Sequence, residues 1–458
     1  MTDEPTVTAE ELTGHFWRRY GSLRTEDLPA EVVEVAAQCV LDWFGCAVAG
    51  SQEPLTAILA AELADVAGGA TIVGTPGELA GTGMLQAAMI NGAAGHALDF
   101  DDTNIVMGGH PTVPVLPAVL ALAETTGASG ADVLAAFVAG LEIESLIGDM
   151  IGGGHYAKGW HKTSTVGVFG AAAAACHLMG LDEVQFGHAM GLAASNAAGL
   201  KANFGTMTKP YHAGHAAERG LLAARLAARG YTANHEAVGG KQSLAQAAGD
   251  GALRLTRLAE PVAEWLTPQT LFKYHAACYL THAGIEATSS LVSANGMAPA
   301  DVERVELVVH PSLDDVCNIQ FPTTGLEAKF SLRATQAFAV HGVDTTAVES
   351  YEDGPVNRPE IQKFIDQVTV SFDEDLATTA TRATVVSTAG DRMDGFHDAG
   401  VPAEDLPLQR EKLEAKFLGL AGPILGQDHA ATVAGRIRTV VDRDQFSVRS
   451  VLSPPPER

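Results

Sequence analysis

Positive charge is scarce in this sequence: 29 Lys and Arg stand against 55 Asp and Glu in 458 residues, a net charge of −26 with neutral His. A polyanion such as nucleic acid has no basic surface to meet there. Cysteine is sparse too. Cys39, Cys46, Cys176, Cys278 and Cys317 are odd in number and widely spaced, with no C-x-x-C, which argues against a disulfide framework and a zinc knuckle and fits a reducing cytosol. No stretch reaches the roughly 18 uninterrupted apolar residues of a membrane span. The N-terminus, MTDEPTVTAEEL, lacks a basic n-region and an apolar h-region, so the expectation is a soluble, unprocessed, cytoplasmic chain with no membrane partner. Several catalytic signatures are missing as well. There is no G-x-x-x-x-G-K-[ST], since GGKQS at 239–243 fails it, and no G-x-S-x-G, H-E-x-x-H or three-cysteine iron–sulfur arrangement. Any elimination has to run on side chains.

What is present is apolar and periodic. Hydrophobic residues make up 47%, enough for large cores, and the length predicts two or three compact units. From about residue 31 to 265 apolar residues recur at three and four, as in EVVEVAAQCVLDWFGCAVAG at 31–50, the period of helices with a buried face. Further helices are expected near 84–97, 114–126, 129–149, 164–180, 182–199 and 212–229, rich in Ala and Gly that let backbones approach. Beyond about 270 the period becomes two in VERVELVV (302–309), QVTVSFD (367–373) and TRATVVST (381–388), as in strands. Helical text lies among these at 282–293 and 329–340 and returns at 406–425 and 429–441. Residues around Asp391 read as a loop and SPPPER as a tail. The fold class expected is mainly α with a smaller α+β domain.

Five blocks hold chemistry-bearing side chains. In NGAAGHALDFDDTNIVMGGHPT (91–112), His96, Asp99, Asp102 and Thr103 follow a small-residue helix, and His96, Asp99 and Thr103 share a face if it continues; the plainer reading is a cap or solvated loop. His110 precedes Pro111, and an imidazole near pKa 6.5 suits proton transfer at neutral pH. In GWHKTSTVG (159–167) the hydroxyls of Thr163, Ser164 and Thr165 mark a helix start with Trp160 and His161 on the turn before it, either an anion-binding start or an ordinary cap. In GTMTKPYHAG (205–214) Lys209, before Pro210, is expected on a turn; it either faces a ligand or snorkels to solvent. His212 and His215 follow on the first turns of a helix, as site, core or dimer-contact residues. Lys273 and His282 flank KYHAACYLTH (273–282) at the border of the two halves, where clefts commonly form, and EAKFSL (327–332) carries Lys329.

HALDFDDT, GWHKTSTVG with its following Ala-rich helix, GTMTKPYHAG, the Lys273–His282 segment and EAKFSL, in this order over most of the chain, resemble the MmgE/PrpD family, whose members dehydrate, decarboxylate or epimerise small polycarboxylates. The resemblance implies a large all-helical domain built from N- and C-terminal parts, residues 1–268 and 400–458, a smaller α+β lid domain over 269–399, a homodimer, and neither metal nor other cofactor. By position in the motifs it implies catalytic roles for His161, His110, Asp99 and His282, and substrate contacts from Lys209, Lys273 and Thr103. The segment after Lys273 departs from many relatives in lacking their Pro and Arg.

The shared difficulty of these reactions is carbanion character beside a carboxylate. Lys209 and Lys273 suit the carboxylates and the enediolate-like state, His161 is the first choice for general base or acid, and His110 or His282 is the second proton carrier, with Asp99 fixing an imidazole tautomer and Thr103 donating to substrate. Elimination of water of the 2-methylcitrate dehydratase type ranks first; cis-aconitate-type decarboxylation and iminodisuccinate-type epimerisation are alternatives within the same logic. Two readings from other classes remain open: a metal-dependent helical enzyme, because DFDD (99–102) has the look of an Mg²⁺-binding Asp cluster, and a non-catalytic binding dimer.

Overall fold

The computed structural model describes residues 8, 11–74, 81–251, 253–258 and 264–454; most of the acidic N-terminal stretch and the end of the SPPPER tail lie outside them. Contacts divide the chain into two compact units, residues 1–272 with 404–458, and residues 273–403. In chain order the longer helices are α1 Leu12–Tyr20, α2 Ala30–Gly50, α3 Pro54–Leu63, α4 Met84–Gly95, α5 Thr112–Thr126, α6 Gly130–Ile151, α7 Gly167–Leu178, α8 Glu183–Asn196 and α9 Thr208–Ala227, then α10 Tyr279–Ala294 and α11 Leu332–Val340 in the second unit, and α12 Leu406–Leu425 and α13 Gln427–Arg438 back in the first.

In the first unit α9 packs against α4, α5, α7 and α8. Small residues make this possible. A Cβ on Gly92 of α4 would come 2.7 Å from Gly214 Cα of α9, and one on Gly214 would come 2.2 Å from Met89 O, so the two backbones touch where only hydrogen fits between them. By length and composition α2 alone among the described helices is apolar enough to cross a membrane, yet 78% of its apolar window is buried inside the protein. Its polar positions are matched by α12: Glu34 by Arg410, Gln38 Oε1 by Gln409 Nε2 at 2.8 Å and Asp42 by Lys416 Nζ at 2.6 Å. Helix α12, from the C-terminal part of the chain, thereby joins α2 across most of the sequence. Among these helices run two short antiparallel pairs, β1 Ala70–Thr71 with β2 Gly81–Thr82, and β3 Thr103–Asn104 with β4 Thr270–Leu271. The unit expected to be all-helical therefore also contains strand pairing.

Three local expectations are corrected. The helix expected to run on to residue 97 ends at Gly95, and Asp99 takes a left-handed conformation, φ 52°, so His96, Asp99 and Thr103 are not one helical face; Thr103 is in β3. The helix expected over 164–180 is broken into Lys162–Thr165 and α7, with His161 extended at its N-cap. Lys209 is helical, not on a turn, because α9 starts at Thr208. Pro210 then falls in the first turn, where no intrahelical partner is lost with its N–H, and this outweighs the extended bias on the residue before it.

In the second unit a four-stranded sheet runs in the order β6 Val368–Phe372, β5 Val302–Val309, β7 Ala380–Ser387, β8 Arg392–Asp398. β5 and β6 are parallel and the other pairs antiparallel. The loop expected at Asp391, between Gly390 and Arg392, is found there and leads into β8, a strand without a clear period-two signal: Arg392, Asp394, His397 and Asp398 hide the apolar alternation, as suits a charged edge strand. Helix α10 packs on β7, β8 and α11.

The contact between α4 and α9 makes a direct test. Gly214→Ala places a methyl against the backbone of α4 and should destabilise by about 1–3 kcal/mol, lowering Tm by several degrees in a thermal scan; an unchanged Tm would show that the helices are not in backbone contact.

Candidate active site

The end of α4, the start of the short helix at Lys162 and the first turn of α9 bring one group of ionisable side chains together in the first unit. Asp101, buried, lies with its two carboxylate oxygens 2.9 and 3.0 Å from His96 Nδ1. Its Oδ2 is also 3.3 Å from His110 Nδ1. The other nitrogen of His110, Nε2, is 3.4 Å from Asp99 Oδ1, and Asp99 Oδ2 is 2.7 Å from Lys209 Nζ. A continuous chain thus runs His96, Asp101, His110, Asp99, Lys209. Beside it, His161 stacks on His96 with centroids 5.9 Å apart and meets His212 Nδ1 to Nδ1 at 3.2 Å. Phe204 packs edge-on against His161 at 4.9 Å and lies 5.2 Å beneath the Lys209 ammonium.

Backbone anchors aim these groups. The His110 N–H donates to Thr163 Oγ1 at 3.1 Å, Ser164 Oγ donates to His212 O at 3.0 Å, and the His161 N–H donates to Gly199 O at 3.0 Å. The hydroxyls read from the sequence as a helix start are therefore buried ties that hold the two imidazole-bearing loops to α9.

Burial sets the protonation states. His96 is pushed down to about 4 by loss of water and is a neutral imidazole at pH 7. Burial first, then the neighbouring imidazoles and the Lys209 ammonium, hold His161 well below the ordinary imidazole value, so it too is neutral; burial likewise lowers His212. One ring of the His161–His212 contact must then donate and the other accept. Burial alone would raise Asp101, but the two imidazoles directed at it outweigh that and keep it ionised. Next to it Asp102 behaves oppositely. Burial and the charge of Asp42 push it up to about 8, and it shares a short hydrogen bond with Thr112 Oγ1. Adjacent carboxyls thus sit in opposite protonation states at neutral pH.

His96, Asp99, Asp101 and His110 each offer a donor atom within 4.8 Å of the others, a spread that a divalent cation could bridge. The Lys209 ammonium on Asp99 already supplies positive charge in this group, and a metal ion there would face it across one carboxylate. The residues fit a chain of alternating acids and bases better than a coordination sphere.

Of the residues expected at the site, Asp99, His110, His161 and Lys209 are brought together. Thr103 lies on the adjoining strand β3, and its hydroxyl donates to Gly109 O at 3.1 Å, fixing the loop that carries His110. Lys273 and His282 belong to the second unit, where both are buried; His282 packs against His275 at 4.9 Å and Tyr279 at 5.0 Å between ring centroids, and Lys329 is in that unit as well. Sequence pattern gives no sign of Asp101 or Phe204 and assigns no role to His96 or His212. Spacing holds a signal for His212, three residues after Lys209 and on the same helical face; Asp101 has none, since in an Asp-rich turn only the backbone path decides which carboxylate turns inward.

The Asp102 carboxyl sets a pH dependence. It stays protonated in the folded protein up to about 8 but ionises near 4 when unfolded. The unfolded state therefore binds fewer protons in that window, and the stability contributed by this group falls as pH rises from about 4 to about 8. Asp102→Asn, a neutral side chain that keeps an oxygen to accept from Thr112, should gain Tm relative to the parent by more at pH 8 than at pH 5; a gap that does not widen would mean Asp102 is ionised in the fold.

The MmgE/PrpD N-terminal domain profile matches residues 19–255 and the MmgE/PrpD C-terminal domain profile matches residues 275–439. Among curated proteins, the chain is 32% identical to the cis-aconitate decarboxylase of Homo sapiens over 405 residues, covering 81% of this chain and 80% of that protein. It is 30% identical to the cis-aconitate decarboxylase of Mus musculus, over 80% of this chain and 78% of that one. It is 29% identical to that of Aspergillus terreus, over 92% and 91%. With both domain profiles matched in order and the motif residues gathered as described, the chain belongs to the MmgE/PrpD family.

Proposed function

We propose that this enzyme is a carboxy-lyase acting on cis-aconitate or a closely similar unsaturated tricarboxylate. Two observations support the reading. Within the family, the relatives that match over about four-fifths of the chain or more carry the name cis-aconitate decarboxylase, which favours the decarboxylating alternative over the 2-methylcitrate-type dehydration that the sequence motifs ranked first. The observation that carries it chemically is the Lys209–Asp99–His110–Asp101–His96 chain, which combines a cation with proton carriers in a water-poor site.

Loss of CO2 breaks a carbon–carbon bond and leaves the electron pair on the former α-carbon, delocalised toward a neighbouring carboxylate. Lys209 is placed to hold a substrate carboxylate and to offset that charge, more strongly here than in bulk water. His161 or His110 then returns a proton to carbon. A protein of net charge −26 repels a tricarboxylate at long range, so affinity depends on local cations of this kind. A homodimeric assembly belongs to the same proposal and rests on the family resemblance.

Proton NMR in D2O with cis-aconitate, 2-methylcitrate, citrate and iminodisuccinate, each supplied separately, tests the reading. Cis-aconitate should yield a decarboxylated product carrying one deuterium, with a rate unaffected by a strong chelator. Turnover of 2-methylcitrate alone would restore dehydration, and deuterium exchange without net change in iminodisuccinate would indicate epimerisation. Lys209→Ala and His161→Gln should each lower kcat/KM by about 10²-fold or more with unchanged thermal unfolding; near-normal activity in either variant removes that residue from the chemistry.

A further inference from the structure

The two nitrogens of His110 face two carboxylates at nearly equal distance, Asp101 at 3.3 Å and Asp99 at 3.4 Å, and a neutral imidazole carries one proton to share between them. The surroundings of the two acids break the tie. Asp99 has the Lys209 ammonium at 2.7 Å, and its side chain is 28% exposed. The Asp101 side chain is 1% exposed, and the partners at its oxygens are imidazoles: His96 Nδ1, 2.9 and 3.0 Å from its two oxygens, and His110 Nδ1. Since His96 is neutral, it brings one N–H and no charge. A buried carboxylate supplied with a single neutral donor is costly; the next nearest nitrogen is His110 Nδ1, which is buried, lies 3.3 Å from Asp101 Oδ2 and makes no aligned hydrogen bond in this structure, so a proton on it has Asp101 as the charge it can stabilise. With the proton on Nε2 instead, the His110 Nδ1 lone pair would confront Asp101 Oδ2 across 3.3 Å with nothing between them.

We propose that Asp101, not Asp99, is the positioning residue of the site: it holds His110 in the Nδ1–H form and in its observed orientation, with His96 locking the carboxylate from behind. His110 Nε2 is then the nitrogen free to take up a proton and deliver it on the side of Asp99 and Lys209, and the fixed Asp101 charge balances the imidazolium while both nitrogens are protonated. Asp99 is left to orient the Lys209 ammonium. His96 is the backstop. Its Nδ1 is committed to Asp101 and its Nε2 is buried without a hydrogen-bond partner, so it has no route of its own for moving a proton.

This assignment rests on reading the site as an acid–base centre, but its primary test does not require turnover. Long-range ¹H–¹⁵N NMR of the histidine-labelled whole protein, raised to about pH 9 so that each imidazole keeps a single proton, should find the remaining His110 proton on Nδ1. Asp101→Asn, whose amide can donate to Nδ1, should move it to Nε2, whereas Asp99→Asn should leave it on Nδ1. With the substrate identified by the deuterium experiment, Asp101→Asn should lower kcat by about 10²- to 10⁴-fold and alter KM by less than about threefold, because the side chain does not touch substrate. A proton on Nε2 in the parent protein overturns the assignment even if the variant fails to fold, and so does a folded Asp101→Asn with normal kcat. If no polycarboxylate is turned over but the proton is found on Nδ1, the decarboxylase reading fails and the positioning role of Asp101 stands.

Discussion

Charge placed where water is excluded must be balanced by neighbours at hydrogen-bond distance, and this constraint governs the first unit. Asp42 is matched by Lys416, Asp99 by Lys209 and Asp101 by two imidazoles. Asp102, which has no cation against it among the described residues, stays protonated instead. Glu144 on α6 takes the same course: burial raises its carboxyl well above the usual range. Each acid therefore sits in whichever state its surroundings can support, and adjacent residues of one Asp-rich turn end up with opposite charge and different roles.

Such matching needs a rigid frame, and the frame comes from small residues. Where Gly92 meets Gly214 the helices α4 and α9 touch backbone to backbone, so the loop that leaves α4 with His96 and Asp99 starts close to the turn of α9 that carries Lys209 and His212. The broken helix at Val166 serves the same end. It places His161 at an N-cap and frees Thr163 and Ser164 to bind the backbone of His110 and His212. Glycine, a poor helix former on its own, and alanine, with its single methyl, are what bring the ionisable groups within 3 to 4 Å of each other.

Much of this was legible from residue order. VERVELVV is strand β5 over the same residues, 302–309, and the helix read at 406–425 has those bounds, because strong period-two and period-3.6 patterns reflect burial on one face. The motif blocks named Asp99, His110, His161 and Lys209, all found in one cluster. Less was legible where local preference yields to packing. Lys209 reads as a turn residue from its proline, yet a helix start absorbs that proline. Strand β8 gives no clear strand signal because an edge strand can carry charge at most of its positions. Asp101 does not stand out in the sequence because its chemistry is the same as that of Asp99 and Asp102 beside it.

The sequence by itself determined the family, the helical half with its mixed α+β insertion, and the inventory of acids, imidazoles and lysines from which a site is made, since period and side-chain chemistry are local properties. Only the tertiary structure decided which carboxylate faces which nitrogen, which acid keeps its proton and which imidazole is held from behind. Those outcomes depend on distances of a few ångströms and on exclusion of water, and both are set by segments far apart along the chain.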